Sequence, residues 1–73
     1  MNKYKFNLSA RKRNAIGITY PITFETSADN LKQAIENLYL DYEHCGQFRR
    51  AEENGVKLEE QELFNATGFR LHN

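Results

Sequence analysis

Apolar residues recur at Leu31, Ala34, Ile35, Leu38, Tyr39 and Tyr42. Spacings of three and four put them on one face of a helix, with Lys32, Gln33, Glu36, Asn37, Asp41 and Glu43 mostly on the other. The pattern predicts a helix from about Ala28 to Cys45, roughly 27 Å long. Ser27 suits its N-cap, Asp29 puts negative charge in its first turn, and Gly46 suits the left-handed residue that ends it.

Ahead of this stripe the period is two. Tyr4, Phe6, Leu8 and Ala10 alternate with Lys3, Lys5, Asn7 and Ser9, which reads as a half-buried strand over residues 3–10. Arg11-Lys12-Arg13-Asn14 breaks the pattern as an exposed turn, with Asn14 tolerant of positive φ. Alternation resumes at Ile16, Ile18, Tyr20, Ile22 and Phe24, so residues 16–25 complete an antiparallel hairpin. Pro21 has no N–H for a ladder, so this strand is an edge or bends at Tyr20-Pro21.

Beyond the helix the pattern weakens. Phe48 and Ala51 are three apart, which suits a helical or irregular turn over residues 47–55; the alternative is a strand entering a turn at Asn54-Gly55. Residues 59–66 read as a short acidic helix, and residues 68–72 as a third strand with Phe69 and Leu71 inward. The fold class is therefore α+β: a small antiparallel sheet of N-terminal hairpin plus C-terminal strand, with one main helix across a face. The expected core sets Tyr4, Phe6, Leu8, Ile16, Ile18, Ile22 and Phe24 against Leu31, Ala34, Ile35, Leu38 and Tyr42. Leu63, Phe64, Phe69 and Leu71 close one end.

With 73 residues the chain makes one domain with a thin core. Its single cysteine, Cys45, excludes an intrachain disulfide. No stretch is apolar enough to span a membrane and the start MNKYKF has no apolar leader, so the expectation is a cytoplasmic protein of a bacterial host cell. Net charge is zero, which argues against a general nucleic-acid binder. The charges are nevertheless unevenly placed. Lys3, Lys5, Arg11, Lys12, Arg13 and Lys32 stand against Glu25 and Asp29 in the first 32 residues, whereas most carboxylates follow. Folding either intermixes these charges or leaves two faces of opposite sign, which would steer encounters with partners.

Candidate chemistry is sparse. His44 and Cys45 are neighbours, about 100° apart on a helix, and form no base–nucleophile pair. No ligand spacing suggests a metal and nothing suggests a cofactor. No nucleophile, base and orienting group can be assembled, so the chain reads as a non-enzyme. Surface candidates remain. Arg11, Lys12 and Arg13 on a hairpin tip could reach a major groove, or simply solubilise a turn. Arg49 and Arg50 follow Phe48, a pairing typical of protein interfaces and of RNA binding alike. Glu52, Glu53, Glu59, Glu60 and Glu62 read as a solvated face or as a mimic of nucleic-acid phosphates. Tyr20, beside Pro21, and Tyr39, at the edge of the helix stripe, suggest a partner-binding patch, unless residues 47–66 pack over them.

In size, isolation and division of charge, the hairpin Lys3–Glu25, the helix Ala28–Cys45 and the acidic stretch Glu52–Glu62 resemble the small proteins that phages and mobile elements turn against their hosts, anti-CRISPR proteins among them. The resemblance covers architecture, not a matched motif, and transfers no functional residue. It implies an inhibitor that binds a bacterial protein or nucleoprotein complex, or a nuclease, and occludes its nucleic-acid or partner site. The alternative is a small DNA- or RNA-binding accessory protein using Arg11, Lys12 and Arg13; a third reading is a homodimer formed through a sheet edge.

Overall fold

The computed structural model describes residues 1–71. Strands β1 (Asn2–Lys12) and β2 (Tyr20–Ala28) precede helix α1 (Leu31–Asp41); then come β3 (Tyr42–Glu53), β4 (Val56–Lys57) and helix α2 (Glu60–Thr67). The strands form one antiparallel sheet in the order β2-β1-β3-β4. Both helices pack on the same face, so the α+β class stands.

The β1 alternation is realised as expected. Tyr4, Phe6, Leu8 and Ala10 are buried. β1 pairs with β2 in unbroken register from Asn2↔Ala28 to Ala10↔Tyr20, with Phe6 opposite Phe24 and Leu8 opposite Ile22. β2 is an edge strand, the place its proline allows.

The expected stripe residues Ala34, Ile35 and Leu38 lie in the core, but α1 is shorter than its pattern suggests. Ser27 and Ala28 are drawn into β2, opposite Lys3 and Asn2. Asn30 is the N-cap instead, its side chain accepting from the Gln33 N–H at 2.8 Å while Gln33 accepts from the Asp29 N–H at 2.6 Å. This reciprocal arrangement is close to a capping box. At the other end Tyr42 is extended (φ −130°, ψ 152°) and begins β3, so Cys45 and Gly46 are strand residues.

The third strand is therefore residues 42–53 rather than 68–72. Residues 69–71 form no strand, and His72 lies outside the described residues. The helical or irregular reading of 47–55 is corrected as well. A β3–β4 hairpin turns at Asn54-Gly55, whose φ values of 54° and 84° fit a two-residue turn with both residues left-handed. Lys3 holds this turn in place: its N–H donates to the Asn54 side chain at 2.9 Å, and its carbonyl accepts the Asn54 N–H at 2.7 Å.

β3 runs beside β1 with two irregularities. Asn7 is opposite Arg50, Ser9 opposite Gly46 and Arg11 opposite Glu43, so β3 carries extra residues in both intervals. Gln47 (φ 49°) and His44 (φ 54°) fall there. Such bulges re-aim side chains. Here Phe48 and Ala51, three apart, both turn into the core. That i, i+3 spacing imitates a helix in the sequence.

The short acidic helix is present as α2, closed by Gly68 at φ 79°, whose N–H reaches the Phe64 carbonyl at 2.7 Å. Leu58 and Leu63 join the core, and Phe69, partly exposed, stacks on Phe48 at 5.8 Å. Ile16 and Ile18 do not: both are exposed. A helix of 11 residues spans about 16 Å against about 37 Å for an 11-residue strand, too short to cover the whole hairpin.

Candidate protein-binding surface

Three surfaces carry the residues singled out by the sequence. They are the sheet face opposite the helices, the loop joining β1 to β2, and the helix-side rim.

On the open sheet face, charges alternate across all four strands. Glu25 of β2 is opposite Lys5 of β1, Lys5 opposite Glu52 of β3, and Glu52 opposite Lys57 of β4. Opposite charges across strands support the sheet and compensate one another. Glu52 also takes the guanidinium of Arg50, which holds its carboxyl below the usual carboxylate range. Arg49 donates to the Ser9 hydroxyl at 3.1 Å, and that hydroxyl donates to Gln47 at 3.3 Å. A shallow groove of about 690 Å³ at one end includes Lys3, Lys5, Glu25, Glu52 and Asn54 in its walls, a mixture of both signs. The outward residues of β1 and β2 include no aromatic ring that could stack on a base.

The acidic candidates do not converge. Glu52 and Glu53 are consecutive strand residues pointing to opposite faces; Glu52 is tied to Arg50, and Glu53 stands opposite Tyr4 in the β1–β3 register. Glu59 is the N-cap position of α2, Glu60 sits 3.7 Å from Arg70, and Glu62 lies in the first turn of the same helix. Negative charge there is placed well for the helix dipole.

The basic hairpin tip is divided too. Arg11 donates to the Gly17 carbonyl at 2.8 Å and pairs with Glu43 at 3.4 Å. Arg13 sends its backbone N–H to the Asp41 carbonyl at 3.0 Å and its Nε to the Tyr39 carbonyl at 2.6 Å. Those carbonyls belong to the last turn of α1, where a cation is favoured. Lys12 is exposed. Tyr39 packs half-buried against the core, and burial pushes its hydroxyl pKa up; burial does the same to the neighbouring Cys45 thiol, against a smaller opposing pull from Arg13. A thiol with a raised pKa is a poor nucleophile. Among the described residues, no cluster of three or more His, Cys, Asp or Glu could hold a metal, and no helix is long and apolar enough to cross a membrane.

The loop 13–19 holds what periodicity misassigned. Ile16 and Ile18 are 102% and 88% exposed, and Tyr20, where β2 begins, is 45% exposed. The loop is pinned at its base. The Ala15 N–H bonds the Lys12 carbonyl at 3.1 Å with Asn14 at φ 69°, and Arg11 holds Gly17, whose φ of 124° favours glycine. Arg13 fastens the same loop to the end of α1, where Leu40 is 73% exposed. A basic residue, two isoleucines, a tyrosine and a leucine are thus gathered at one end of the molecule. The signal was in the sequence as unbroken alternation from Ile16 to Phe24, which does not reveal where the covering helix stops.

Compared with protein-family models, with curated proteins and with solved structures, the chain matches none.

Proposed function

We propose that this protein acts by binding rather than by catalysis, as an inhibitor of the anti-CRISPR type that docks on a bacterial nucleoprotein complex or nuclease and occludes its nucleic-acid or partner site. The observation that carries the binding part is the pinned loop with Ile16 and Ile18 held out to solvent. Exposing large apolar side chains costs solubility, and a fixed loop loses little entropy when it docks, so such a feature suits a protein partner. Lys12 and the neighbouring cations add steering toward an acidic rim. The anti-CRISPR part rests on the resemblance in size and architecture.

Direct binding of DNA or RNA is the weaker reading. Arg11 and Arg13 are engaged within the fold, and Lys5 stands between two carboxylates. Each phosphate contact needs a cation able to release a counterion.

The test is titration against purified CRISPR effector complexes, following DNA binding and cleavage. Inhibition should saturate at a fixed stoichiometry, and Ile16→Asp with Ile18→Asp should weaken it at least tenfold while leaving the circular dichroism spectrum unchanged. Inhibition untouched by that double change would remove the loop from the site. Tight retention of the unmodified protein on naked DNA at physiological salt would favour the nucleic-acid reading.

A further inference from the structure

We propose that β2 is a self-association edge, and that two copies of this chain join antiparallel through it about a two-fold axis at Phe24, making one continuous sheet. The sheet has two edges of different kind. At one, β4 is two residues long, and the chain after it covers β3: the Leu58 N–H bonds the Ala51 carbonyl at 2.8 Å, and Phe69 stacks on Phe48. At the other, β2 offers nine residues in regular register, and no described element pairs with its outer side. Natural edges are usually blunted by bulges, lysines or inward charges. β2 has none of these; its helix-side residues are Tyr20, Ile22, Phe24, Thr26 and Ala28, and its defences are Pro21 near one end and the charge of Glu25 on the opposite face.

Pro21 also fixes which backbone groups point outward. It sits opposite Ser9 in a register without interruption. A proline fits there only at a pair exchanging no N–H···O bond, since its nitrogen has no hydrogen. By the alternation of antiparallel ladders, Thr23, Glu25 and Ser27 then also turn their N–H and C=O groups to the free edge. A second copy must match these odd positions with odd positions. Centring on Glu25 would set two carboxylates face to face, which is repulsive. Centring on Thr23 would spend Glu25 against the donorless Pro21.

Centring on Phe24 overlaps the full strand, Tyr20 to Ala28 against Ala28 to Tyr20. Thr23 of one copy then exchanges both bonds with Glu25 of the other, and each Ser27 N–H reaches a Pro21 carbonyl. On the helix side the two Phe24 rings meet, each held between Phe6 and Tyr42 of its own copy at 6.5 and 6.1 Å. The zero net charge adds no long-range repulsion between copies. This pairing is independent of the inhibitor reading.

The test combines sedimentation velocity with amide hydrogen exchange, under reducing conditions because Cys45 is free. A dimer should form as concentration rises, and the amides of Thr23, Glu25 and Ser27 should slow with it. Thr23→Pro removes an outward N–H and no bond to β1, so it should weaken the dimer roughly tenfold or more, one edge bond being lost on each side of the axis. If that variant does not fold, exchange in the unmodified protein decides. The proposal is overturned by a monomer up to millimolar concentration, by a dimer whose three edge amides exchange as in dilute solution, or by a folded Thr23→Pro protein that pairs undiminished.

Discussion

Arg13 shows how one side chain can be misjudged from its neighbours. In sequence it is the third of three consecutive cations, and such runs are usually solvated. In the fold it closes α1, supplying a main-chain N–H and a guanidinium to carbonyls that no residue of the helix can satisfy. Removing the guanidinium leaves the Tyr39 carbonyl to water and removes positive charge from the helix C-terminus. Arg13→Ala should therefore cost about 1 kcal/mol, against less than about 0.5 kcal/mol for Lys12→Ala. Urea melts of the two variants check this, and equal losses would mean that the cap contributes nothing. Arg11 teaches the same lesson through Gly17 and Glu43.

At the scale of elements, β3 is where local pattern and fold part company. It follows α1 with no linker, and its bulges place His44 and Gln47 at positive φ. His44 is exposed and its contact with Glu43 is long, at 3.7 Å, so backbone conformation dominates its contribution. A β-branched residue favours regular strands but is strained in the left-handed region. His44→Val should therefore destabilise by about 1–2 kcal/mol, whereas His44→Gly should be tolerated within about 0.5 kcal/mol. Chemical denaturation of both measures the difference; a stabilising valine would show that the bulge is not held.

For the whole molecule, burial of titratable groups sets the response to pH. Tyr4 is buried in the core, and its hydroxyl pKa is raised above the ordinary 10.0, first by burial and then by the Glu53 carboxylate opposite it. Tyr39 and Cys45 are raised by burial as well. A group with a raised folded value contributes stability that is complete below its unfolded pKa and is lost as pH rises through the folded one. The melting temperature should thus fall at alkaline pH beyond the ordinary tyrosine value, and Tyr4→Phe should flatten that fall. A profile unchanged by Tyr4→Phe would assign the alkaline loss to other groups. Glu52 acts in the opposite sense: its lowered pKa gives stability present above the unfolded carboxylate range and lost as pH falls through the folded value.

The sequence by itself determined the α+β class, the inward set of β1, the stripe of α1 and the short acidic helix, and it narrowed the strand bearing Pro21 to an edge or a bend, between which the unbroken register chose the edge. Each depends on side-chain period or on the covalent chemistry of one residue, which neighbours in sequence express directly. Asn30 and Gln33 also carried the true start of α1, although Ser27 was the more obvious cap. Tertiary structure alone decided where α1 ends, that residues 42–53 are a strand, and that Ile16 and Ile18 are left in solvent. β1 can bond β3 only after the chain has turned back, and its demand for a partner outweighs the helical spacing of Tyr42, Phe48 and Ala51. The loop isoleucines alternate as strand residues do, but burial needs a covering layer, and the distance α1 reaches is a property of the assembled fold.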